Sequence, residues 1–284
     1  MKHTLPCVLF CAMLLLGLCT AQAGDSHTWW DEAWWQTGEL AAPVTHKVRT
    51  SREHYLSEDV EVPVLVARPD DRRSYPAVLF AHGRRGLDDL ITLHVTRLAA
   101  RGFVVYAPDL YSGRFIEAFP IEHDYVLEDD LNRGLDALLA RRDISGTQAC
   151  VYSHTRGGYY ALKVAVSKQR QHHGLACYVS YYPHMQDPNA PEPMQVYRYA
   201  PEANDLSIPT LIFVGEHEQY QRLRGIEMAI SSLREHERPA QLVVYPGVGR
   251  GFDFRDPAVR TFADDLASKD AIMRASRFMQ ETLR

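Results

Sequence analysis

Three side chains in this sequence could do chemistry on a small molecule: the hydroxyl of Thr155, the carboxylate of Glu218 and the guanidinium of Arg250. Thr155 lies in Ser153-His154-Thr155-Arg156-Gly157-Gly158, where an apolar strand pattern gives way to a helical one. A hydroxyl on such a turn faces a ligand, and small residues behind it let the helix pack close to the strand. As a nucleophile, threonine needs a base to take its proton, and its methyl crowds the path of attack and stiffens χ1. Arg250, in Tyr245-Pro246-Gly247-Val248-Gly249-Arg250-Gly251-Phe252, stays protonated at any working pH and cannot be that base. His82, His154, His184 and His217 fall at predicted strand ends and are the candidate substitutes. No ligand spacing such as His-x-x-x-His appears among the last three, so neither a metal nor a cofactor is expected.

Alternating apolar strands and helical patterns must position these residues. Glu61 to Ala67, Pro76 to His82, Phe103 to Ala107, Gln148 to Tyr152, Leu175 to Tyr182, Thr210 to Gly215 and Gln241 to Tyr245 read as strands. Leu87 to Arg101, Tyr125 to Arg141, Arg156 to Lys168, Ile226 to Glu235 and Val259 to Leu283 read as helices. Strands apolar on both faces, each followed by a helix, predict an α/β fold: a mostly parallel sheet with helices on both faces. The first strand or two should pair antiparallel at an edge. Pro183 to Pro209, rich in proline and without a period, reads as an irregular excursion over the carboxyl edge that could line a pocket.

Two segments carry a resemblance. Tyr75-Pro76-Ala77-Val78-Leu79-Phe80-Ala81-His82-Gly83, followed by Leu98-Ala99-Ala100-Arg101-Gly102-Phe103-Val104-Val105-Tyr106-Ala107-Pro108-Asp109-Leu110-Tyr111, closely resembles the dienelactone hydrolase family of the α/β-hydrolase superfamily. The likeness is strongest from Arg72 to Tyr111 and runs on, more weakly, to about Asp256, including Val179-Ser180-Tyr181-Tyr182-Pro183. It implies an α/β-hydrolase fold and hydrolysis of small carboxylic esters or lactones. It also implies a nucleophile at Thr155, where the family has Cys or Ser. The acid falls at Glu218, in Gly215-Glu216-His217-Glu218, and the base at Arg250, where the family has His. Backbone N–H groups of Arg84 and Arg156 would form the oxyanion hole, and Gly83 stands where some members carry an acid. The same likeness brings Arg84, Arg85, Arg156 and Arg250 together. Facing inward, they would make an anion trap. Neutralised by Asp88, Asp89, Glu216, Glu218 and Asp253, they would close the pocket with ion pairs, Arg250–Glu218 first among them.

Two readings follow. In one, the triad positions are degenerate, ester hydrolysis is weak or absent, and the pocket binds a small, anionic ligand. In the other, Thr155 hydrolyses an ester or lactone with a substitute base. A third, a structural or adhesive module, rests on Trp29, Trp30, Trp34 and Trp35 alone.

The 284 residues carry a net charge of −5 without a basic stripe, which gives no basis for nucleic-acid binding. Lys2 followed by the apolar run Leu5 to Cys19 and Ala21-Gln22-Ala23 reads as a signal peptide over residues 1–23, hence a secreted or periplasmic protein. That run is shorter than the roughly 20 residues of a spanning helix, so no transmembrane segment is expected after cleavage. Leu18 is too large for the residue before a lipidated cysteine, which disfavours an anchor. Residues 24–45 form an aromatic N-terminal segment and 46–284 the α/β-hydrolase domain. Cys150 and Cys177 fall in neighbouring apolar strands. They are expected as buried free thiols, because bridge geometry between adjacent parallel strands is poor.

Overall fold

The computed structural model describes residues 45–284. The expected leader and cleavage site and the four tryptophans lie outside the described residues. The chain runs β1 (Val48–Ser57), β2 (Val60–Pro69), β3 (Tyr75–Ala81), α1 (Asp89–Ala99), β4 (Val104–Pro108), α2 (Val126–Leu139), β5 (Ile144–His154), α3 (Gly157–Ala165) and β6 (Leu175–Tyr181). It continues through α4 (Glu192–Tyr197), α5 (Glu202–Asp205), β7 (Thr210–His217), α6 (Tyr220–Glu235), β8 (Ala240–Gly249) and α7 (Phe262–Thr282).

The strands form one sheet in the order β1-β2-β4-β3-β5-β6-β7-β8. β1–β2 and β2–β4 pair antiparallel, and every pairing from β4–β3 through β7–β8 is parallel. This is an α/β-hydrolase fold. β3, β4 and β6 are buried nearly throughout, and β5 from Ala149 to His154, as strands covered on both faces must be. The chain leaves β3 toward β4 in one direction and leaves β5 toward β6 in the other. The carboxyl ends of the neighbours β3 and β5 therefore flank a switch point, where an open α/β sheet leaves a crevice.

The sequence does not announce β1, whose Arg, Ser, Glu and His side chains are mostly exposed on an edge strand with one partner. α6 begins six residues ahead of the predicted Ile226 start, in a polar first turn without apolar periodicity. Pro183 to Pro209 holds the two short helices α4 and α5 inside its irregular path. No helix among the described residues is long and apolar enough to cross a membrane.

One expectation is overturned: Cys150 and Cys177 form a disulfide. They are direct register partners on β5 and β6, with a Cα–Cα distance of 4.6 Å. The register shifts between Ala149 and Cys150, so the ladder is irregular at the point where a regular parallel pair would resist a bridge. Closing a loop across a separation of 27 residues should stabilise the fold by about 3–4 kcal/mol. Urea unfolding of the Cys150→Ala/Cys177→Ala variant measures that difference. As many titratable thiols in the unreduced, denatured wild type as after reduction would show that the bridge does not form.

Candidate active site

Thr155 follows the last residue of β5 with φ +50°, a left-handed conformation that costs a β-branched residue on the order of 1–3 kcal/mol. The surrounding backbone holds it there. Its N–H donates to Tyr181 O at 3.1 Å, and its carbonyl accepts from Gly158 N at 3.0 Å and His184 N at 2.8 Å. Both following glycines are needed. A Cβ on Gly157 would run into the Ala81 carbonyl, and one on Gly158 into Pro183. The Thr155 hydroxyl lies against Gly83, where any side chain would overlap Oγ1. The N–H groups of Arg84 and Arg156 donate to no backbone acceptor among the described residues.

Arg250 is fastened on three sides. Its Nε donates to Glu218 Oε1 at 2.9 Å, its Nη2 to Tyr182 O at 3.2 Å, and its guanidinium lies 5.6 Å from the Tyr182 ring centre. Nη1 stands 3.4 Å from His184 Nε2. The same Glu218 oxygen accepts from Gln219 N at 2.8 Å. Arg250, at the expected base position, thus binds Glu218, at the expected acid position, but it has no lone pair to offer.

The histidines do not repair this. His82 spends both ring nitrogens on backbone, at Gly83 O and Leu110 N. His217 is exposed at the end of β7. His154 turns its Nε2 to Asp253 Oδ2 at 2.9 Å. His184 lines the same cavity as Thr155. Burial, reinforced by Arg222, Arg250, Arg156 and Arg84, holds its imidazole well below the usual range. Among the described residues no histidine nitrogen hydrogen-bonds to the Thr155 hydroxyl.

A cavity of about 530 Å³ opens over Thr155. Gly83, Arg84, Arg85 and Arg250 line it, as do Arg222 and Arg255, which sequence reasoning missed. Arg222 is the third residue of α6, in a polar first turn whose lack of apolar periodicity left no local signal for it. Arg156 departs from expectation. Its guanidinium binds the carbonyls of Pro120, Ile121 and Glu122 and so faces a backbone segment instead of the cavity. Arg84 joins it on Pro120 O and Phe119 O. Together they staple down the stretch that brings Phe119 to the cavity wall.

Carboxylates neutralise only part of the charge: Asp88 pairs with Arg85, Glu218 with Arg250 and Asp264 with Arg255. Arg222 bonds to the neutral Gln186 Oε1 at 3.1 Å, and burial with Arg250 nearby pulls it down to about 10. Two acids expected among the arginines act elsewhere. Glu216 accepts from Gly247 N, and Asp253 sits between His154 and His94. Burial alone would raise Asp253, but the two imidazoles outweigh it and hold the carboxyl well below its usual range. Burial, with His154 beside it, pulls His94 down to about 4.

Such a site can polarise a carbonyl or hold an anion, and among the described residues no side chain is hydrogen-bonded to the Thr155 hydroxyl to take its proton. Solved structures share the fold. A putative dienelactone hydrolase from Klebsiella pneumoniae subsp. pneumoniae MGH 78578 superposes with TM-score 0.65 at 20% identity, covering 83% of this chain and 100% of that one. Dienelactone hydrolase from Anabaena variabilis ATCC 29413 gives 0.61 at 18%, covering 84% and 100%. A Pyrobaculum calidifontis esterase gives 0.62 at 18%, covering 86% and 88%. No curated protein matches the chain by sequence. The dienelactone hydrolase family model, however, matches residues 62–283, from the second strand through the last helix. With that span and this fold, the chain belongs to the dienelactone hydrolase family.

Proposed function

We propose that this chain is an exported member of its family whose triad positions, Thr155, Glu218 and Arg250, no longer support efficient ester hydrolysis, and that its cavity binds a small anion. The observation that carries the reading is Arg250, a fixed cation bonded to Glu218 in the base position. Arg222 and Arg84, whose hydrogen bonds go to neutral oxygens, supply positive charge for the ligand. Phe119, Ile91, Phe254 and Val259 give the cavity an apolar side, which suits a small organic carboxylate better than a bare inorganic ion. Export is supported by the leader-like N-terminus and by the Cys150–Cys177 disulfide, which belongs in an oxidising compartment.

Calorimetric titration with succinate and sulfate tests the binding. Arg222→Ala should weaken the anion by about 10–100-fold, the worth of one charged hydrogen bond. Wild-type protein should neither turn over a short-chain p-nitrophenyl ester nor react with a fluorophosphonate. His184, buried against Thr155, is the residue that favours an active hydrolase instead. Turnover that disappears in Thr155→Ala would establish that second reading and sink the first.

A further inference from the structure

Beside Thr155 the fold gathers a second cluster that the site above does not use. His94 comes from α1, His154 from the end of β5 and Asp253 from the turn after β8. All are buried, at 2%, 1% and 1% exposure. One donor atom from each lies within 4.8 Å of the others. Asp253 Oδ2 stands 2.9 Å from His154 Nε2 and 3.2 Å from His94 Nδ1.

The two nitrogens are not equivalent. His154 Nε2 is placed for a hydrogen bond, whereas His94 Nδ1 is close to the oxygen yet makes no hydrogen bond to it. A buried ring nitrogen that meets a carboxylate out of line leaves part of its bonding capacity unused. It is the expected arrangement of two ligands on one ion, because donors bound at 2.0–2.1 Å in a tetrahedron lie about 3.3 Å apart. His154 Nδ1 is also buried without a hydrogen-bond partner.

The surroundings are those of a metal shell. The Tyr152 hydroxyl holds the far nitrogen of His94 at 2.7 Å, and Tyr182 donates to the far oxygen of Asp253 at 2.5 Å. Such outer bonds fix which ring nitrogen and which carboxylate oxygen point inward. Phe80, Tyr181 and Phe254 pack around His154, with ring centres 5.4, 4.8 and 5.0 Å away, and keep the cluster dry. A separate cavity of about 230 Å³, with Asp253, Phe254 and Arg97 in its wall, offers a way in.

We infer that His94, His154 and Asp253 form a binding site for one divalent transition-metal ion of the zinc type. Two imidazoles and a carboxylate are borderline ligands of that class, and a fourth neutral or anionic donor completes the shell. Arg97 carries a positive charge near Asp253. It opposes the ion and sets the affinity below that of an all-neutral pocket. Nothing in this site depends on whether Thr155 is reactive.

The test uses the full chain without an affinity tag, stripped with dipicolinate and then exposed to Zn²⁺ or Co²⁺. Expected are about one Zn²⁺ retained per chain after gel filtration, a rise in Tm that dipicolinate reverses, and visible Co²⁺ absorption of the four-coordinate type. Tyr152→Phe keeps the core filled and should weaken Zn²⁺ by about 10–100-fold through loss of the outer bond. His94→Gln should abolish retention, and His217→Ala should leave it unchanged. The inference is overturned if the folded wild type keeps no Zn²⁺ and shows no change in Tm. It is equally overturned if retention survives undiminished in both Tyr152→Phe and His94→Gln.

Discussion

In the double variant Thr155→Ser/Arg250→His, hydrolysis of a short-chain p-nitrophenyl ester should rise about 10²–10⁴-fold above wild type, the usual contribution of a positioned general base. The geometry supports this particular pair. Arg250 Nε already meets Glu218 Oε1 at 2.9 Å, so an imidazole from the same backbone position has a buried carboxylate to orient it. Replacing threonine with serine removes the methyl at the attack path and keeps the strained turn. The glycines at 157 and 158 and the amides of Arg84 and Arg156 need no change. Each single variant should gain little, because nucleophile and base act as a unit. Arg250→His alone leaves a crowded hydroxyl, and Thr155→Ser alone leaves no proton acceptor. Initial rates at saturating ester, with circular dichroism to confirm folding, decide the matter. A folded double variant as inert as wild type would show that Thr155, Glu218 and Arg250 are not the positions assigned to them.

What was legible in the sequence follows the range of the interactions. Strands apolar on both faces, such as Val78-Leu79-Phe80 and Val104-Val105, carry their own evidence of burial, and the sheet could be read from them. The turn at Thr155 was legible because its glycines are dictated by local close approach. Arg250 and Glu218, 32 residues apart, were brought together by the family resemblance, which no periodicity could supply. The Asp253 cluster was not seen, because its three elements are far apart in the chain. One local sign existed. His94 shares the Ile91, Val95 and Leu98 face of α1, the helix's buried side, so a polar ring was bound to need a partner there. The disulfide was missed for a different reason: the average geometry of parallel neighbours disfavours a bridge, and the local shift at Ala149/Cys150 does not show in sequence.

The arginine-lined cavity is neither the open trap nor the closed network considered from sequence. Arg85, Arg250 and Arg255 are paired with carboxylates, whereas Arg84 and Arg222 bond to neutral oxygens. A cavity built this way keeps its shape through the pairs and its attraction through the remainder. An anion entering it exchanges water for guanidinium contacts that were never fully neutralised.

The same field makes the protein acid-sensitive, and the effect should be large. His184 is held well below its usual range by burial and by Arg222, Arg250, Arg156 and Arg84. His82 is lowered by burial, partly offset by its bond to Gly83 O and by Asp109 and Asp88. Both rings take up protons less readily in the folded chain than in the unfolded chain, whose histidines begin to protonate near 6.5. The unfolded state therefore binds more protons, and stability must fall as pH falls. The loss begins near pH 6.5, grows by up to about 1.4 kcal/mol per pH unit for each ring, and ends only at the depressed folded values. Urea unfolding at pH 7.0, 6.0 and 5.0 measures it. His184→Gln should remove one ring's share of the slope, since glutamine takes up no proton in either state, and His82 and His94, also lowered by burial, supply the rest. Arg250→Ala should shrink it too, because one fewer cation opposes the imidazolium. A stability flat from pH 7 to 5 would mean that these rings are solvated in solution, and the cavity would then lack the dry, cationic wall on which anion binding depends.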